Sequence, residues 1–297
     1  MDPYRGRFAP SPTGALHFGS LVAAVGSYLE AKRRGGAWLV RMEDLDPPRV
    51  QAGAADLILR TLEACGMFWD GEVMFQSRRA EAYRAALARL EAQELAYVCG
   101  CSRREIADSG LGPDGALIYP GTCRDGLAPG KTARATRIRV DNEPIAFEDA
   151  VQGSICQNLA AQVGDFVLRR ADGLYAYQLA VVVDDAEQGI TDVVRGADLL
   201  DSTPRQIYLQ QLLGLPTPRY LHLPAAVNAA GEKLSKQTLA QPVNGRHPVR
   251  VLAQVMDFLG HAPPAGLRRA APAEFWRWAL AHWDAVHIPR RRCLPAP

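Results

Sequence analysis

Between Arg5 and Gln93 the chain alternates short apolar runs with stretches of helical period, an order that few folds accept. Residues 5–9 read as a strand that stops at the turn Pro10-Ser11-Pro12-Thr13-Gly14. Phe18, Leu21, Val22, Val25 and Leu29 then recur at helical spacing, so a helix is predicted over 17–33, stopped by Gly35-Gly36. Residues 38–42 predict a second strand, and helices are expected over 54–65 and 78–93. Strand, helix, strand, helix argues for a parallel α/β sheet.

From 97 to 142 the periodicity fades. This stretch holds Cys99, Cys101 and Cys123 among several glycines, as expected of an insertion rather than a layer of the core. The α/β character returns with residues 165–169, 179–183 and 192–195, followed by a helix over 202–213 that ends at Gly214. Two helices are predicted near the end, over 248–259 and 272–283, before the basic tail Arg290-Arg291-Arg292, which reads as solvated. The expected organisation is a first half of the α/β domain (1–96), the insertion (97–142), a second half (143–245) and a short helical region (246–297).

Bulk properties exclude several classes. No apolar run approaches the roughly 20 residues that span a bilayer, and Met1-Asp2-Pro3-Tyr4 does not resemble a secretory leader. A cytoplasmic protein without membrane contact is expected. With 34 basic and 32 acidic residues the net charge is only +2, so any RNA contact should be local rather than an electrostatic coat. Six cysteines in 297 residues do not make a disulfide scaffold, and in a reducing compartment clustered cysteines more often hold metal.

Two segments carry chemistry. In the strand–turn–helix from Arg7 to Ser20, the helix start offers free N–H groups and positive dipole to a phosphate. There His17 can hydrogen-bond a phosphate, and Gly19 lets a nucleotide approach the backbone. The second segment, Lys233-Leu234-Ser235-Lys236, follows the turn Asn228-Ala229-Ala230-Gly231, and its two lysines suit the charge that grows on an α-phosphate and on departing pyrophosphate.

In this order, and flanking an α/β sheet, the two segments resemble the signature motifs of class I aminoacyl-tRNA synthetases. Within that class Arg7-Phe8-Ala9-Pro10-Ser11-Pro12-Thr13-Gly14, Arg41-Met42-Glu43-Asp44, Val194-Arg195-Gly196-Ala197-Asp198-Leu199 and Thr203-Pro204-Arg205-Gln206 look like the glutamyl enzymes. Ser20 stands where many class I enzymes carry a second histidine, and Leu234 and Gln237 replace the commoner methionine and serine. The resemblance implies a Rossmann-type catalytic domain that activates glutamate with ATP and Mg²⁺. It implies that His17, Gly19, Lys233 and Lys236 bind ATP. Arg7 and Arg195 become the cations for the glutamate side chain, Glu43 the partner of its ammonium and Tyr177 a hydrogen-bond donor, with Phe8, Ala9, Pro10 and Ser11 lining the same pocket. Residue types alone leave open that Glu43 pairs with Arg41 or Arg49 and that Tyr177 merely packs.

Cys99, Cys101 and Cys123 suit one tetrahedral, structural zinc with a fourth donor, which the resemblance assigns to Tyr119. Three reduced structural cysteines are the alternative. Only about sixty residues follow the lysine loop, too few for the anticodon-reading region of full glutamyl enzymes. That brevity, with Asp46-Pro47-Pro48-Arg49 and Val181-Val182-Val183-Asp184-Asp185, resembles the glutamyl-queuosine tRNA(Asp) synthetases, truncated enzymes that esterify glutamate to queuosine in the anticodon loop of tRNA(Asp). The acceptor is implied by the resemblance alone. A monomer is expected. Charging of a tRNA 3′ end, or an inactive RNA- or partner-binding paralogue, are the rival readings.

Overall fold

The computed structural model describes residues 3–107, 109–234, 243 and 247–297. Lys236, one of the expected ATP ligands, lies outside them. Strand β1 (Arg5–Phe8) leads into helix α1 (Phe18–Arg33), then β2 (Ala37–Met42), α2 (Ala54–Ala64), β3 (Met74–Phe75) and α3 (Ala80–Ala92). Next come β4 (Ala96–Cys99), β5 (Ala135–Ile138), β6 (Pro144–Asp149), β7 (Gly153–Asn158), the short α4 (Leu159–Gln162), β8 (Val167–Arg169) and α5 (Tyr177–Glu187). The chain closes with β9 (Asp192–Gly196), α6 (Thr203–Leu213), β10 (Arg219–Leu223), β11 (Ala225–Val227), α7 (Pro248–Phe258), α8 (Pro272–His282) and β12 (Cys293–Pro295).

The sheets are parallel where the site is built and antiparallel away from it. Strands β1, β2 and β3 pair parallel, as do β9, β10 and β6, and β1 meets β9 where Thr191 N–H donates to Arg5 C=O at 2.9 Å. The parallel sheet expected from the first ninety residues is present, and the antiparallel pairings lie elsewhere. β7 runs antiparallel on β6, and β4, β5 and β8 form a separate antiparallel sheet at the base of the insertion. Residues 179–183 lie within helix α5, whose valines pack with the second core cluster under β9. Burial there outweighs the β-preference of three consecutive valines.

Helix α1 is the axis of the main core. Leu21, Val25 and Leu29 are fully buried, and Gly26 is small because a Cβ there would come within 2.5 Å of the Leu223 side chain, pressing α1 off β10. Helices α7 and α8 join the same core through Leu252, Met256, Phe275 and Trp283. Trp283 Nε1–H donates to the buried Glu30 carboxylate of α1 at 2.8 Å. Each such aromatic buries apolar area worth about 2–3 kcal/mol, so the C-terminal helices share the main hydrophobic core. The three arginines of the basic tail, Arg290, Arg291 and Arg292, are exposed, as expected. Directly after them Cys293–Pro295 forms β12, parallel to β11, with Arg292 C=O accepting from Ala225 N–H and the Arg292 guanidinium on Asp201. No described helix is long and apolar enough to cross a membrane.

Candidate active site

A cavity of about 700 Å³ opens between the C-terminal ends of β1 and β9 and the N-terminus of α1, where ligands sit in open parallel sheets. Its lining includes Arg7, Phe8, Ala9, Pro10, Ser11, His17, Gly19, Glu43, Tyr177, Arg195 and Lys233, so every described pocket residue expected from the sequence converges there. The strand-end turn and the lysine loop are thus adjacent despite their separation in the chain. Leu234 N–H donates to Ala226 C=O and Asn228 N–H to Glu232 C=O, which folds the start of the lysine loop back along β11. Lys233 forms an ion pair with Asp198.

His17 caps α1: its Nδ1 accepts from Ser20 N–H at 3.3 Å. Nδ1 is then an acceptor, so Nε2 carries the proton in the neutral ring and can donate to a phosphate oxygen. A Cβ on Gly19 would stand 3.3 Å from the His17 ring and 3.8 Å from Leu234 C=O. Glycine there keeps the helix N-terminus open to a phosphate chain.

Beside Glu43 and Tyr177 the cavity wall carries Arg7 and Arg195, with Arg41 buried behind it, in different electrostatic states. Arg7 grips Asp185 with Nε–Oδ1 at 3.0 Å and Nη2–Oδ2 at 3.3 Å. Arg41, fully buried on β2, donates to the same carboxylate at 2.7 Å and to Gln188 Oε1 at 2.8 Å, and meets Glu43 at 3.4 Å. Two guanidinium groups and two carboxylates balance. Burial pushes the Asp185 carboxyl up, but Arg41 and Arg7 pull harder and hold it below the usual range. Burial raises Glu43 against the pull of Arg41 and Arg7; an ammonium beside it would favour the charged form. The pairing of Glu43 with Arg41 left open by residue type is therefore present, and Glu43 still lines the cavity.

Arg195 differs. Its partners are neutral: Tyr177 Oη at 3.2 Å from Nη1, Thr203 Oγ1 at 2.9 Å from Nη2, and His222 Nε2 at 3.0 Å from Nε. Burial raises the Tyr177 phenol above its ordinary value, keeping it a protonated donor. Among the described pocket residues Arg195 is the arginine whose charge has no carboxylate against it, whereas the charge of Arg7 is offset by Asp185. Arg7 and Arg195, both expected as cations, thus both line the cavity and differ in their ion pairing. Thr203, His222 and Asp185 were given no role from the sequence; a lone histidine inside the apolar run Tyr220-Leu221-His222-Leu223 was the available signal.

In the insertion, Cys99 ends β4, and the sulfurs of Cys99, Cys101 and Cys123 lie within 4.8 Å of one another. Tyr119 Oη is 3.3 Å from Cys99 Sγ and 3.6 Å from Cys101 Sγ, and Cys101 Sγ is 3.5 Å from Cys123 Sγ. Zinc–thiolate bonds of about 2.3 Å would set tetrahedral ligand atoms roughly 3.8 Å apart, so the four side chains fit a metal ion. Burial lifts the Cys99 thiol, but the Tyr119 hydrogen bond and Arg137 outweigh it and bring it down to about 7. The Arg137 guanidinium lies 3.7 Å from the Tyr119 ring centre, a cation that also favours anionic ligands.

Residues 4–250 match the family described as tRNA synthetases class I (E and Q), catalytic domain. A protein of Dechloromonas aromatica named glutamyl-Q tRNA(Asp) synthetase is 60% identical over 100% of this chain and 99% of its own. Another of that name from Thiobacillus denitrificans is 56% identical over 98% of this chain and 97% of its own. The crystal structure of a glutamate tRNA ligase from Elizabethkingia meningosepticum, in complex with its amino acid, superposes with a TM-score of 0.81 at 24% identity, over 100% of this chain and 67% of that one. Fold, cavity and sequence agree, and the chain belongs to the class I tRNA synthetases (E and Q).

Proposed function

We infer that this chain is a ligase that activates L-glutamate with ATP and transfers the glutamyl group to the queuosine base of tRNA(Asp). The observation that carries the first half is one cavity holding both a helix N-terminus capped by His17 and the carboxylate-free charge of Arg195. The names of the full-length relatives support the second half.

In this reading ATP, with its Mg²⁺, lies along α1. His17 Nε2–H and the N–H groups around Gly19 meet the phosphates, and Lys233 turns from Asp198 to the pyrophosphate, with Lys236 contributing from the same loop. Arg195 and Tyr177 take the side-chain carboxylate, and Glu43 takes the ammonium. An α-carboxylate oxygen attacks the α-phosphorus in line, the bond to the β-phosphate oxygen breaks, and pyrophosphate leaves with the electron pair. A hydroxyl of the RNA then attacks the acyl carbon, loses its proton and displaces AMP. Positioning and preset charge supply most of the acceleration. The test is transfer of labelled glutamate. Queuosine-bearing tRNA(Asp) should be labelled on the modified nucleoside and queuosine-free tRNA(Glu) should not; label at a 3′ end would overturn the acceptor.

We further propose that Cys99, Cys101, Tyr119 and Cys123 hold one structural zinc, a brace for residues 97–142. Metal analysis should find about one zinc per chain, lost in Cys123→Ser. Chelation is expected to leave glutamate-dependent pyrophosphate exchange within about twofold while lowering transfer to RNA about tenfold or more, because the pocket is built from other elements.

A further inference from the structure

Arg195 enters the cavity from β9, and the side chain behind it is not part of the cavity wall. His222 stands opposite Arg195 in the parallel register of β10 on β9 and is fully buried. Its Nε2 lies 3.0 Å from Arg195 Nε and 3.2 Å from Thr203 Oγ1. Arginine Nε–H is an obligatory donor, so His222 Nε2 must accept and the ring proton belongs on Nδ1. Nδ1 faces Asp149 Oδ2 at 2.6 Å. The other oxygen, Oδ1, is already committed to backbone N–H groups of Val151 at 3.0 Å, Gln152 at 2.8 Å and His222 itself at 3.1 Å. Asp149 therefore has no freedom to turn.

We propose that Asp149 and His222 form a positioning relay that fixes the histidine tautomer and thereby aims the Arg195 guanidinium at the glutamate side chain, so that substrate selectivity is set from outside the cavity. The proposal rests on the reading of Arg195 given above. Arg195 is held through Nε by His222, through Nη2 by Thr203 and through Nη1 by Tyr177, leaving one N–H on each terminal nitrogen for a two-pronged grip on a carboxylate. Burial lowers His222 to about 4, so the ring is neutral at pH 7 and does not repel the cation it supports.

Asp149→Asn tests the relay with almost no change of shape. Because Oδ1 must still accept the three backbone N–H groups, the new amide nitrogen faces His222 Nδ1. That turns Nδ1 into the acceptor, moves the proton to Nε2 and sets it against Arg195 Nε–H. The KM for glutamate in pyrophosphate exchange should rise about tenfold or more, the scale of a lost hydrogen bond to a charged group, while the KM for ATP stays within about twofold. His222→Leu should behave alike, and His222→Gln, whose amide oxygen can accept from Arg195, should recover part of the loss. In ¹⁵N NMR of the unsubstituted protein His222 should be the neutral Nδ1–H tautomer, switching to Nε2–H in Asp149→Asn. A wild-type Nε2–H or doubly protonated ring overturns the proposal, whether or not the variants fold. So does an unchanged glutamate KM in Asp149→Asn and His222→Leu while Arg195→Ala raises it. If Arg195→Ala itself leaves that KM unchanged, the reading of the pocket has failed rather than the relay.

Discussion

Arg195→Ala should raise the KM for glutamate in pyrophosphate exchange about 100-fold, with the KM for ATP little changed. Arg195 has neutral partners on every side, so its positive charge is available to an incoming carboxylate. A charge-assisted hydrogen bond contributes about 1.5–3 kcal/mol net, and a two-pronged pair lies at the upper end. Removing the guanidinium leaves the substrate carboxylate facing Tyr177 alone. Discrimination should collapse as well. In the intact protein glutamine would leave the buried guanidinium unneutralised, a mismatch that a site built for charge penalises heavily; in the variant the two amino acids should differ by about tenfold or less. Arg195→Lys keeps the charge without the planar fork and should fall between. Steady-state exchange with each amino acid measures all three.

The second large effect concerns stability. Asp185→Asn removes the one carboxylate shared by Arg7 and Arg41, the latter wholly buried. Breaking a buried ion pair by deleting one partner costs about 3–5 kcal/mol, and here Arg7 loses its carboxylate while Arg41 keeps only the longer contacts to Glu43 at 3.4 Å and Asp184 at 4.0 Å. A drop in Tm of roughly 5–8 °C follows from the entropy of unfolding a chain of this size. The sign of its pH dependence is fixed by the depressed carboxyl of Asp185. A group more acidic in the folded than in the unfolded state stabilises fully above its unfolded value near 4 and loses that contribution as pH falls through its folded value. The Tm gap between the two proteins should be full at neutral pH and narrow below about pH 4. A gap that instead widened in acid would refute the assignment of the buried charge. Glutamate binding should weaken too, since Arg7 lines the cavity.

The sequence speaks where local rules dominate. Helix α1 and the two C-terminal helices begin and end within a residue of their expected bounds, because periodicity, prolines at the starts and glycine stops act over a few residues. Arg7, the proline turn and His17 sit on one contiguous strand–turn–helix that reads directly, whereas Glu43, Tyr177 and Arg195 are placed with them by the resemblance to the glutamyl enzymes. What stays hidden is set by pairings across long stretches of chain. β4 finds β5 across the insertion, Cys99 opposite Ala135. The state of Arg7 depends on Asp185 of a distant helix. His222 looks like an oddity in an apolar strand until the register of β10 on β9 sets it against Arg195. The β12 pairing is missed because Cys293-Leu294-Pro295 is too short to show a period and is held to the distant β11.

Where β1 meets β9, Arg5 and Thr191 exchange backbone and side-chain hydrogen bonds across a sequence separation of 186. A ribosome delivers β1 and its proline turn long before the segment at Thr191 that bonds to its free edge. During that interval β1 has an open edge, the sort of surface that recruits wrong partners. Closing so distant a pairing is also slow, since the loop entropy must be overcome before the contacts form. Synthesis of this chain therefore has a vulnerable stage while the middle third is being made, and slower growth temperatures or holdase chaperones should improve soluble yield more than stronger expression would.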